Sequence, residues 1–486
     1  EAAYLPRRAI IWAGARYVGM KRLFLSVAFL LCGLPFLGQA QRLHCADSLL
    51  SQAFDLALWT IDHNTHEGVV HAGGGYGGEW TRDCAINCWN AVSLLHPEVA
   101  EKSLWSVTND STTIGHQYWD KIIWTIGAYN HYQVTGDMIF LTKAYDCCKN
   151  TMAELEAQCF DSVSGLFMGP AVFQDGIAAY DEPVYDPAKW DDSYVLHHPN
   201  SATIKCLSTN VLYMEAYWLL AKMSEKFGLT DASESYYESA RRLENHIRET
   251  FYRPEEHKFY YLIDHLGHPH DYQEGMGLAF ALLFDLLDDE EAEDVVKNAS
   301  ITEHGIASVS PSFPRNTPDK PGRHNLMVWP HVNALYASGC AHYGLLEPFY
   351  FELENMADLA MNHSGGDFCE IYTIEGEPSG GYQCGALWDV KHHQTWCASG
   401  FIRLIINHIF GLEFRDWRIE FNPVGMKDGS ECRLSGIRYR NMNLTVIVKG
   451  HGEEMKSFKI NGEKTHDECL WASNYEGDVL VEIELE

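Results

Sequence analysis

Amphipathic helices recur along most of the chain, and this recurrence constrains the fold more than any other feature of the sequence. From residue 43 to about 412, apolar residues return with helical spacing, and loops bearing Gly and Pro separate the runs. A helix pair returns about every sixty residues, and the spacing predicts roughly ten to twelve helices. The clearest runs are Leu141–Gln158, Thr209–Phe227, Ala232–Thr250, Met276–Leu287, Val332–Tyr343, Phe351–Asn362 and Thr395–Phe410. The sequence therefore predicts a mainly α-helical fold built from helix pairs.

The pattern changes after about Leu412 to short alternating runs that are typical of half-buried strands. Examples are Trp417–Phe421, Leu444–Val448, Ser457–Ile460 and Val479–Ile483, and the third run is followed by the hairpin pair Asn461-Gly462. A small all-β, sandwich-like domain is therefore predicted over 413–486, after a helical domain over 41–412.

The charge and the aromatic content restrict the possible ligands. The formal net charge of the 486 residues is −31, with 36 Lys and Arg against 67 Asp and Glu. An acidic surface repels phosphate backbones and anionic lipid headgroups, so neither nucleic acid nor a membrane surface is predicted as a partner. The 14 Trp and 25 Tyr favour a neutral carbohydrate, because aromatic faces pack on the apolar faces of sugar rings while acids hydrogen-bond the hydroxyls.

A secretory signal is predicted over about residues 20–40, after upstream sequence in 1–19. Met20-Lys21-Arg22 supplies a charged start, Leu23–Leu31 an apolar run and Gly38-Gln39-Ala40 a small-x-small cleavage pattern. The apolar run is too short for a transmembrane helix. We expect a secreted or periplasmic mature protein without an inserted segment, and residues 1–40 are left out of the predicted fold.

The cysteines do not predict a metal centre. The chain has 14 cysteines, and those after the signal segment show neither a CxxC pair nor zinc-finger spacing. Secretion would permit disulfides, but the sequence does not determine their pairing. No metal or organic cofactor is predicted.

A single acid among aromatic residues is the first candidate for catalysis. Glu370 lies in Asp367-Phe368-Cys369-Glu370-Ile371-Tyr372, which is followed by Gly380-Gly381 and by an apolar helix from Thr395. Burial raises the pKa of a carboxyl group by desolvation, which makes the group useful for proton transfer near neutral pH. The alternative is an acid that only caps or ion-pairs a loop.

A glycine-rich loop, Gly73 to Asp83, ends in Trp80-Thr81-Arg82-Asp83. It is not a phosphate loop, because no Lys-Ser/Thr follows and its acids would repel phosphate. Arg82 beside Asp83 can offer donors and acceptors together, as a sugar requires. A helix cap is an equally good interpretation of Asp83.

Two later loops also combine aromatic residues with acids, at Trp119-Asp120 and between Phe173 and Asp186. In the second loop Asp175 lies between Phe173 and Gly176, an arrangement that allows partial burial and close approach of a ligand. A solvated acidic loop is the alternative.

In motif order, residues 43–412 resemble the six-hairpin glycosidases, namely the glucoamylases, trehalases and processing α-glucosidases that share an (α/α)6 barrel. Trp80-Thr81-Arg82-Asp83 looks like the Trp-x-Arg-Asp loop that grips the terminal sugar in glucoamylases. Trp119-Asp120 and Trp329-Pro330 look like the walls of that pocket. Phe368 to Tyr372, followed by Gln394-Thr395-Trp396, is similar to the late segment in which a Glu activates water. The resemblance thus implies an (α/α)6 toroid barrel with a small C-terminal β domain, and Glu370 as general base.

The same resemblance implies that the general acid lies in the loop from Asp175 to Glu182. Asp175 before Gly176 is closest to the acid-bearing loop of trehalases and processing glucosidases, although their Ser-Gly-x-Asp pattern is not kept. Asp181 and Glu182 therefore remain open as the acid.

The function implied is a secreted, inverting glycoside hydrolase that releases terminal sugars from α-linked oligosaccharides, with α-glucosides as the first expectation. A hydrolase of α-mannosides or α-rhamnosides on the same barrel is one alternative, and a non-catalytic carbohydrate-binding protein is another. An inverting phosphorylase would need a basic phosphate pocket, and few basic residues beyond Arg82 are seen in the candidate loops. The predicted substrate contacts are Trp80, Arg82, Asp83, Trp119, Asp120, Glu182, Trp329 and Trp396.

Overall fold

The computed structural model describes residues 41–486 except 116, 182–193, 199, 384, 453 and 466. The predicted signal segment and Glu182 lie outside the described residues. Within the described part there are twelve helices, with these bounds: α1 Ser48–His63, α2 Thr81–Asn87, α3 Pro97–Ser106, α4 Trp124–Thr135, α5 Met138–Cys159, α6 Leu207–Lys226, α7 Thr230–Phe251, α8 Gly275–Leu283, α9 Asp289–Lys297, α10 Pro330–His342, α11 Leu346–Asp358 and α12 Thr395–Arg403. Helix α2 continues through a π-helical turn, Cys88–Val92, into Ser93–Leu95, and π-helical turns also extend α11 and α12.

The even-numbered helices form a closed inner ring. Along the ring, α2 contacts α4, α4 contacts α6, α6 contacts α8, α8 contacts α10, α10 contacts α12, and α12 returns to α2. The odd-numbered helices form the outer layer, and α3, α7 and α11, for example, pack on α4, α6 and α10. The predicted (α/α)6 barrel is therefore confirmed. None of the described helices combines the length and the apolar character that crossing a membrane requires.

The two layers differ in sequence as their positions require. Residues of α8 are buried from Gly275 to Leu282, and those of α10 from Pro330 to Cys340, because an inner helix has neighbours on every side. Outer helices α7 and α9 bury one stripe and expose a charged face. Asp137 at the start of α5 accepts hydrogen bonds from the N–H groups of Ile139 and Phe140 at 2.8 and 3.0 Å, which fixes where that helix begins.

Each outer helix is followed by a short β-hairpin before the next inner helix begins. The six hairpins pair Thr65–His66 with Val69–Val70, Thr108–Asn109 with Thr113–Ile114, Phe160–Asp161 with Leu166–Phe167, Tyr252–Arg253 with Lys258–Phe259, Ile301–Thr302 with Gly305–Ile306, and Ile371–Tyr372 with Pro378–Ser379. The repeat of about sixty residues seen in the sequence is thus one outer helix, one hairpin and one inner helix. All six connections lie at the end of the barrel where the inner helices begin.

Further short strands and turns extend these connections. Gln273–Glu274 pairs with Val309–Ser310, Tyr382–Gln383 pairs with Ala386–Leu387, and Leu262–Ile263 lies between Pro269–His270 and Lys205–Cys206. Single 3-10 turns are formed by Lys121–Ile123, Ile177–Ala179, Val195–His197 and Ser201–Thr203.

The C-terminal region forms two small sheets. One has three strands in the order Leu412–Phe414, Arg418–Phe421, Cys469–Trp471. The other has six, in the order Arg42–His44, Cys432–Tyr439, Met442–Lys449, Gly477–Leu485, Met455–Ile460, Glu463–Lys464. The ring centroids of Phe421 and Phe458 are 5.3 Å apart, so the sheets face each other.

The first strand of the larger sheet comes from the N-terminal side of the barrel. Arg42 pairs with Ser435 and His44 with Arg433. The predicted division at 41–412 and 413–486 therefore assigns this strand to the wrong layer, and Ala40–Glu486 form one compact unit.

Candidate active site

A cavity of about 300 Å³ lies at the end of the barrel where the inner helices begin. Its walls are mostly aromatic and charged. They are formed by Ala72, Tyr76, Trp80, Arg82, Asp83, Tyr118, Phe173, Asp175, Gly176, Tyr194, Arg323, His324, Trp329, Glu370, Gln383, Trp388 and Trp396. The loops predicted to carry the chemistry thus meet at one place.

The first turns of the inner helices contribute several of these side chains. Arg82 and Asp83 lie in the first turn of α2, Trp329 directly precedes α10, and Trp396 is the second residue of α12. Helix N-termini present unsatisfied N–H groups and the positive end of the helix dipole. This end of the barrel therefore favours carboxylates and electron-rich sugar oxygens.

Glu370 is held between a tyrosine and an arginine. Its side chain is 3% exposed, and its oxygens Oε1 and Oε2 accept from the Tyr76 hydroxyl at 3.0 and 2.8 Å. Arg323 Nη2 donates to Oε2 of Glu370 and also to the Tyr76 hydroxyl, while Arg323 Nη1 donates to the Gly380 carbonyl at 2.6 Å. The backbone N–H of Glu370 donates to the Lys391 carbonyl at 2.9 Å. The carboxylate is thus fixed in orientation, and Oε1 keeps an acceptor position for a water molecule.

The tyrosine and the arginine each keep the proton that this arrangement needs. Burial first, and then the nearby Glu370, raise the pKa of Tyr76 far above its ordinary value, so its hydroxyl is a donor. Burial opposes the charge of Arg323, but Glu370 outweighs it and raises the pKa of the guanidinium. Both groups therefore stabilise an ionised Glu370.

Asp175 lies across a second arginine. Arg82 Nη2 donates to Asp175 Oδ2 at 3.1 Å, and Arg82 Nη1 donates to Asp120 Oδ2 at 3.2 Å. The Asp175 side chain is 31% exposed, whereas Asp120 is fully buried. The Arg82 guanidinium also lies 5.9 Å from the ring centroid of Phe173, within cation–π range. Arg82 thus links a cavity-facing carboxylate to a buried one.

Asp83 adds a third carboxyl group to the cavity wall. Burial raises its pKa to about 7, and Glu370 and Asp175 act in the same direction against the lowering effect of Arg82. Near neutral pH this carboxyl is therefore partly protonated, so it can donate to a sugar hydroxyl as well as accept from one.

The base of the cavity is an aromatic cluster. The rings of Trp329 and Trp396 meet edge to face at 5.4 Å, and His331 stacks on Trp396 at 4.8 Å with an angle of 8°. Phe173 contacts Trp396 edge to face at 5.7 Å. Burial lowers the pKa of His331 to about 3, so the ring is neutral and behaves as part of an apolar wall. Such a surface suits the C–H face of a sugar ring.

The predicted site residues fall into two groups. Trp80, Arg82, Asp83, Asp175, Trp329, Glu370 and Trp396 all line the cavity. The structure does not bring Trp119 or Asp120 to its surface: Trp119 stacks behind Tyr118 at 5.7 Å, and Asp120 lies beneath Arg82. We reassign both as supports of the wall, because burial separates them from a ligand.

The alternative acids of the same loop are placed differently. Asp181 does not line the cavity, since its carboxylate pairs with His270 Nδ1 at 3.1 Å. Glu182 lies outside the described residues, so its predicted substrate contact stays a prediction.

Sequence reasoning missed Arg323, Tyr118 and Trp388, and it gave no role to Tyr76 in the glycine-rich loop. Arg323 corrects the expectation that Arg82 has little basic company, since Lys391 Nζ also lies 5.6 Å from the ring centroid of Tyr76. The available signal was weak: an arginine after Pro321-Gly322 in a connection that ends at Trp329.

Removing the buried carboxylate is expected to destabilise the protein. Asp120→Ala leaves Arg82 with Asp175 as its partner and removes the acceptor of the Phe173 N–H group at 3.3 Å. Breaking a buried pair costs about 3–5 kcal/mol, and we expect the lower end, about 3 kcal/mol, because Asp175 remains. Urea unfolding would measure this loss. Asp146→Ala, which removes an exposed partner of Lys149, should change the unfolding free energy by less than about 0.5 kcal/mol; equal effects of the two variants would contradict the proposed support.

Residues 89–397 match a family model described as the mannosylglycerate hydrolase MGH1-like glycoside hydrolase domain. No curated protein matches the chain.

Several solved structures share the fold. The chain is similar to a sialidase, with a TM-score of 0.65 and 15% identity, over 87% of this chain and 40% of that one. It is similar to the GH78 family rhamnosidase of Bacillus sp. GL1, with a TM-score of 0.61 and 13% identity, over 85% of this chain and 42% of that one. For the GH63 mannosylglycerate hydrolase from Thermus thermophilus in complex with glucose, the values are 0.58 and 16%, over 72% and 99%. The chain thus spans less than half the length of the first two proteins, and the likeness concerns the barrel.

Proposed function

The chain belongs to the family of mannosylglycerate hydrolase MGH1-like glycoside hydrolase domains, and from this premise we propose that it is an inverting hydrolase that removes a terminal sugar from small α-linked saccharides. One observation carries the proposal. Asp175 and Glu370, from separate loops, line the same cavity, and each is paired with its own arginine. Two carboxyl groups on one cavity are the minimum that acid–base glycoside hydrolysis requires.

We assign Asp175 as the general acid and Glu370 as the general base. The protonated Asp175 gives its proton to the glycosidic oxygen as the bond to the anomeric carbon breaks. Glu370 takes a proton from the water whose oxygen bonds to the opposite face of that carbon. The products are the free alcohol and a sugar of inverted configuration, and the two carboxyl groups are expected to stand roughly 6.5–9.5 Å apart in an inverting site.

The different burial of the two groups supports this division of roles. Asp175 is 31% exposed and Glu370 3%. The leaving alcohol departs toward solvent, so its proton donor belongs on the open side, whereas a single water fits beside a buried base. Tyr76 and Arg323 then act as positioning residues, because they fix Glu370 without occupying all its acceptor positions.

The volume of the cavity supports a small substrate. About 300 Å³ lies at the lower end of the range of about 300–1,000 Å³ typical of small-molecule sites. A closed aromatic base at Trp329 and Trp396 leaves no path for a polymer to pass beneath the sugar. Exo-action on a short saccharide follows.

Two terminal sugars are supported comparably. An α-glucoside is the expectation from the sequence motifs, and an α-mannoside is favoured by the description of the matching family. The two sugars differ in the orientation of the hydroxyl at C2, which Asp83 or Arg82 could read through hydrogen bonds. An α-rhamnoside remains a third candidate.

The test is to incubate the full chain with a panel of α-linked glucosides, mannosides and rhamnosides and to follow the anomeric protons by NMR. We expect one sugar type to be released with the β anomer appearing first, and first release of the α anomer would contradict inversion. A parallel panel with inorganic phosphate separates a phosphorylase, which would release a sugar phosphate. Binding without release across the panel would favour a carbohydrate-binding protein.

A further inference from the structure

Directly behind the proposed base, three metal-ligating side chains lie together. Asp367 Oδ2 is 2.6 Å from His392 Nδ1. The Sγ atom of Cys369 is 3.6 Å from Asp367 Oδ2 and 3.8 Å from His392 Nδ1. The residues belong to two chain segments that the cysteine pattern does not connect, since no second cysteine takes part.

The distances among these atoms suit a tetrahedral ion. With zinc bonds of about 2.0–2.3 Å, ligand atoms stand about 3.3–3.6 Å apart. The sulfur–oxygen distance of 3.6 Å and the sulfur–nitrogen distance of 3.8 Å already approach these values. The oxygen–nitrogen distance of 2.6 Å must open by about 0.7 Å, and His392 can supply that movement because its side chain is 59% exposed.

The surroundings leave a route for an ion and hold the other ligands in place. Cys369 and Asp367 are buried, while His392 faces solvent. The backbone N–H of His393 donates to Asp367 Oδ1 at 2.8 Å, which leaves Oδ2 for the ion. His393 Nδ1 lies 2.8 Å from the same Oδ1, so either this ring or water can complete the coordination.

We propose that Asp367, Cys369 and His392 form a binding site for a thiophilic divalent cation of the zinc class. Cysteine sulfur, imidazole nitrogen and carboxylate oxygen are the ligand types that zinc takes, and three protein ligands leave a fourth position open. Burial, with Asp367 adding to it, raises the pKa of the Cys369 thiol to about 12, so the ion displaces a proton from sulfur when it binds.

The ion would tie together the two segments that position Glu370. The Glu370 N–H group already donates to the Lys391 carbonyl, and the Gln394 N–H group donates to the Phe368 carbonyl at 2.8 Å. A bond from the ion to Cys369 on one segment and to His392 on the other adds a cross-link one residue away from the base. Metal binding is therefore expected to stabilise the site independently of which sugar it takes.

Cobalt(II) titration of the reduced, tag-free full chain tests the proposal by absorption spectroscopy. A thiolate ligand gives a sulfur-to-cobalt charge-transfer band, and we expect one such site per chain. Among the described residues a second group, His304, Asp358 and His363, also places possible ligand atoms close together. Having no sulfur, it cannot produce this band, so the signal isolates the proposed site.

Variants make the assignment specific. Cys369→Ser should lose the band, and His392→Ala should keep a thiol but bind cobalt more weakly by at least about tenfold, since even second-shell losses cost about 10–100-fold. Cys340→Ser, at another buried thiol, should behave as the unsubstituted chain, and circular dichroism would confirm that each variant is folded. No band in the unsubstituted chain, or an unchanged band in folded Cys369→Ser, would overturn the proposal. The sugar-release assay does not enter this result, so the proposed hydrolase function is tested separately.

Discussion

Glu370→Gln is expected to remove turnover and to leave sugar binding almost unchanged. The amide has nearly the same shape and can still accept a hydrogen bond from Tyr76 or Arg323, but it cannot take a proton from water. Loss of a positioned general base costs about 10²–10⁴-fold in rate. The rate would be measured on the saccharide that the NMR panel identifies, and binding by the fluorescence of the tryptophans that line the cavity.

A second buried glutamate provides the matched control. Glu352 in α11 is fully buried and accepts from the Ile306 N–H group at 2.9 Å and from Asn333 Nδ2 at 2.7 Å, away from the cavity. Burial raises its pKa to about 8, so Glu352→Gln replaces a largely neutral carboxyl with a neutral amide and should keep full turnover. Glu370 would be a structural residue if Glu370→Gln lost binding, stability and turnover together, and the base would lie elsewhere if turnover persisted.

The helical architecture could be predicted because it is written in local spacing. Predicted helices such as Thr209–Phe227 and Ala232–Thr250 lie within two residues of the observed α6 and α7. Helix α9 was not singled out, because it buries only Ala292, Val295 and Val296 and begins with three acids. The pairing of Arg42–His44 with a strand almost 400 residues later leaves no local trace, so the sequence could not reveal it.

The site could be predicted only where its residues are neighbours in the chain. Trp80, Arg82 and Asp83 stand together, and Glu370 is flanked by aromatics, so each carries its own signal. Tyr76 reaches Glu370 across 294 positions and Arg323 across 47, and only closure of the barrel brings them together. Trp119 and Asp120 show the converse: adjacency to Tyr118 placed them near the site, while burial turned them away from the cavity.

Asp175→Asn is expected to separate substrates by their leaving groups. The asparagine can still accept from Arg82 Nη2, which preserves the loop, but it cannot protonate the glycosidic oxygen. For a saccharide leaving group we expect a loss of about 10²–10⁴-fold. A glycosyl fluoride of the same sugar leaves without protonation by a carboxyl group, so its hydrolysis should fall far less. The ratio of the two rates, measured in Asp175→Asn and in the unsubstituted chain, is the quantity to compare.

The neighbouring acids decide whether this pattern belongs to Asp175. Asp181 pairs with His270 and faces away from the cavity, so Asp181→Asn should lower neither rate. Glu182→Gln should likewise keep the ratio unchanged if its role is only to contact the sugar. Should the fluoride be spared in Glu182→Gln and not in Asp175→Asn, the acid would be Glu182, and the ion pair of Asp175 with Arg82 would then serve to shape the cavity wall. An equal loss for both substrates in Asp175→Asn would instead show that the carboxylate positions the sugar, because a proton donor is needed only where the leaving group is poor.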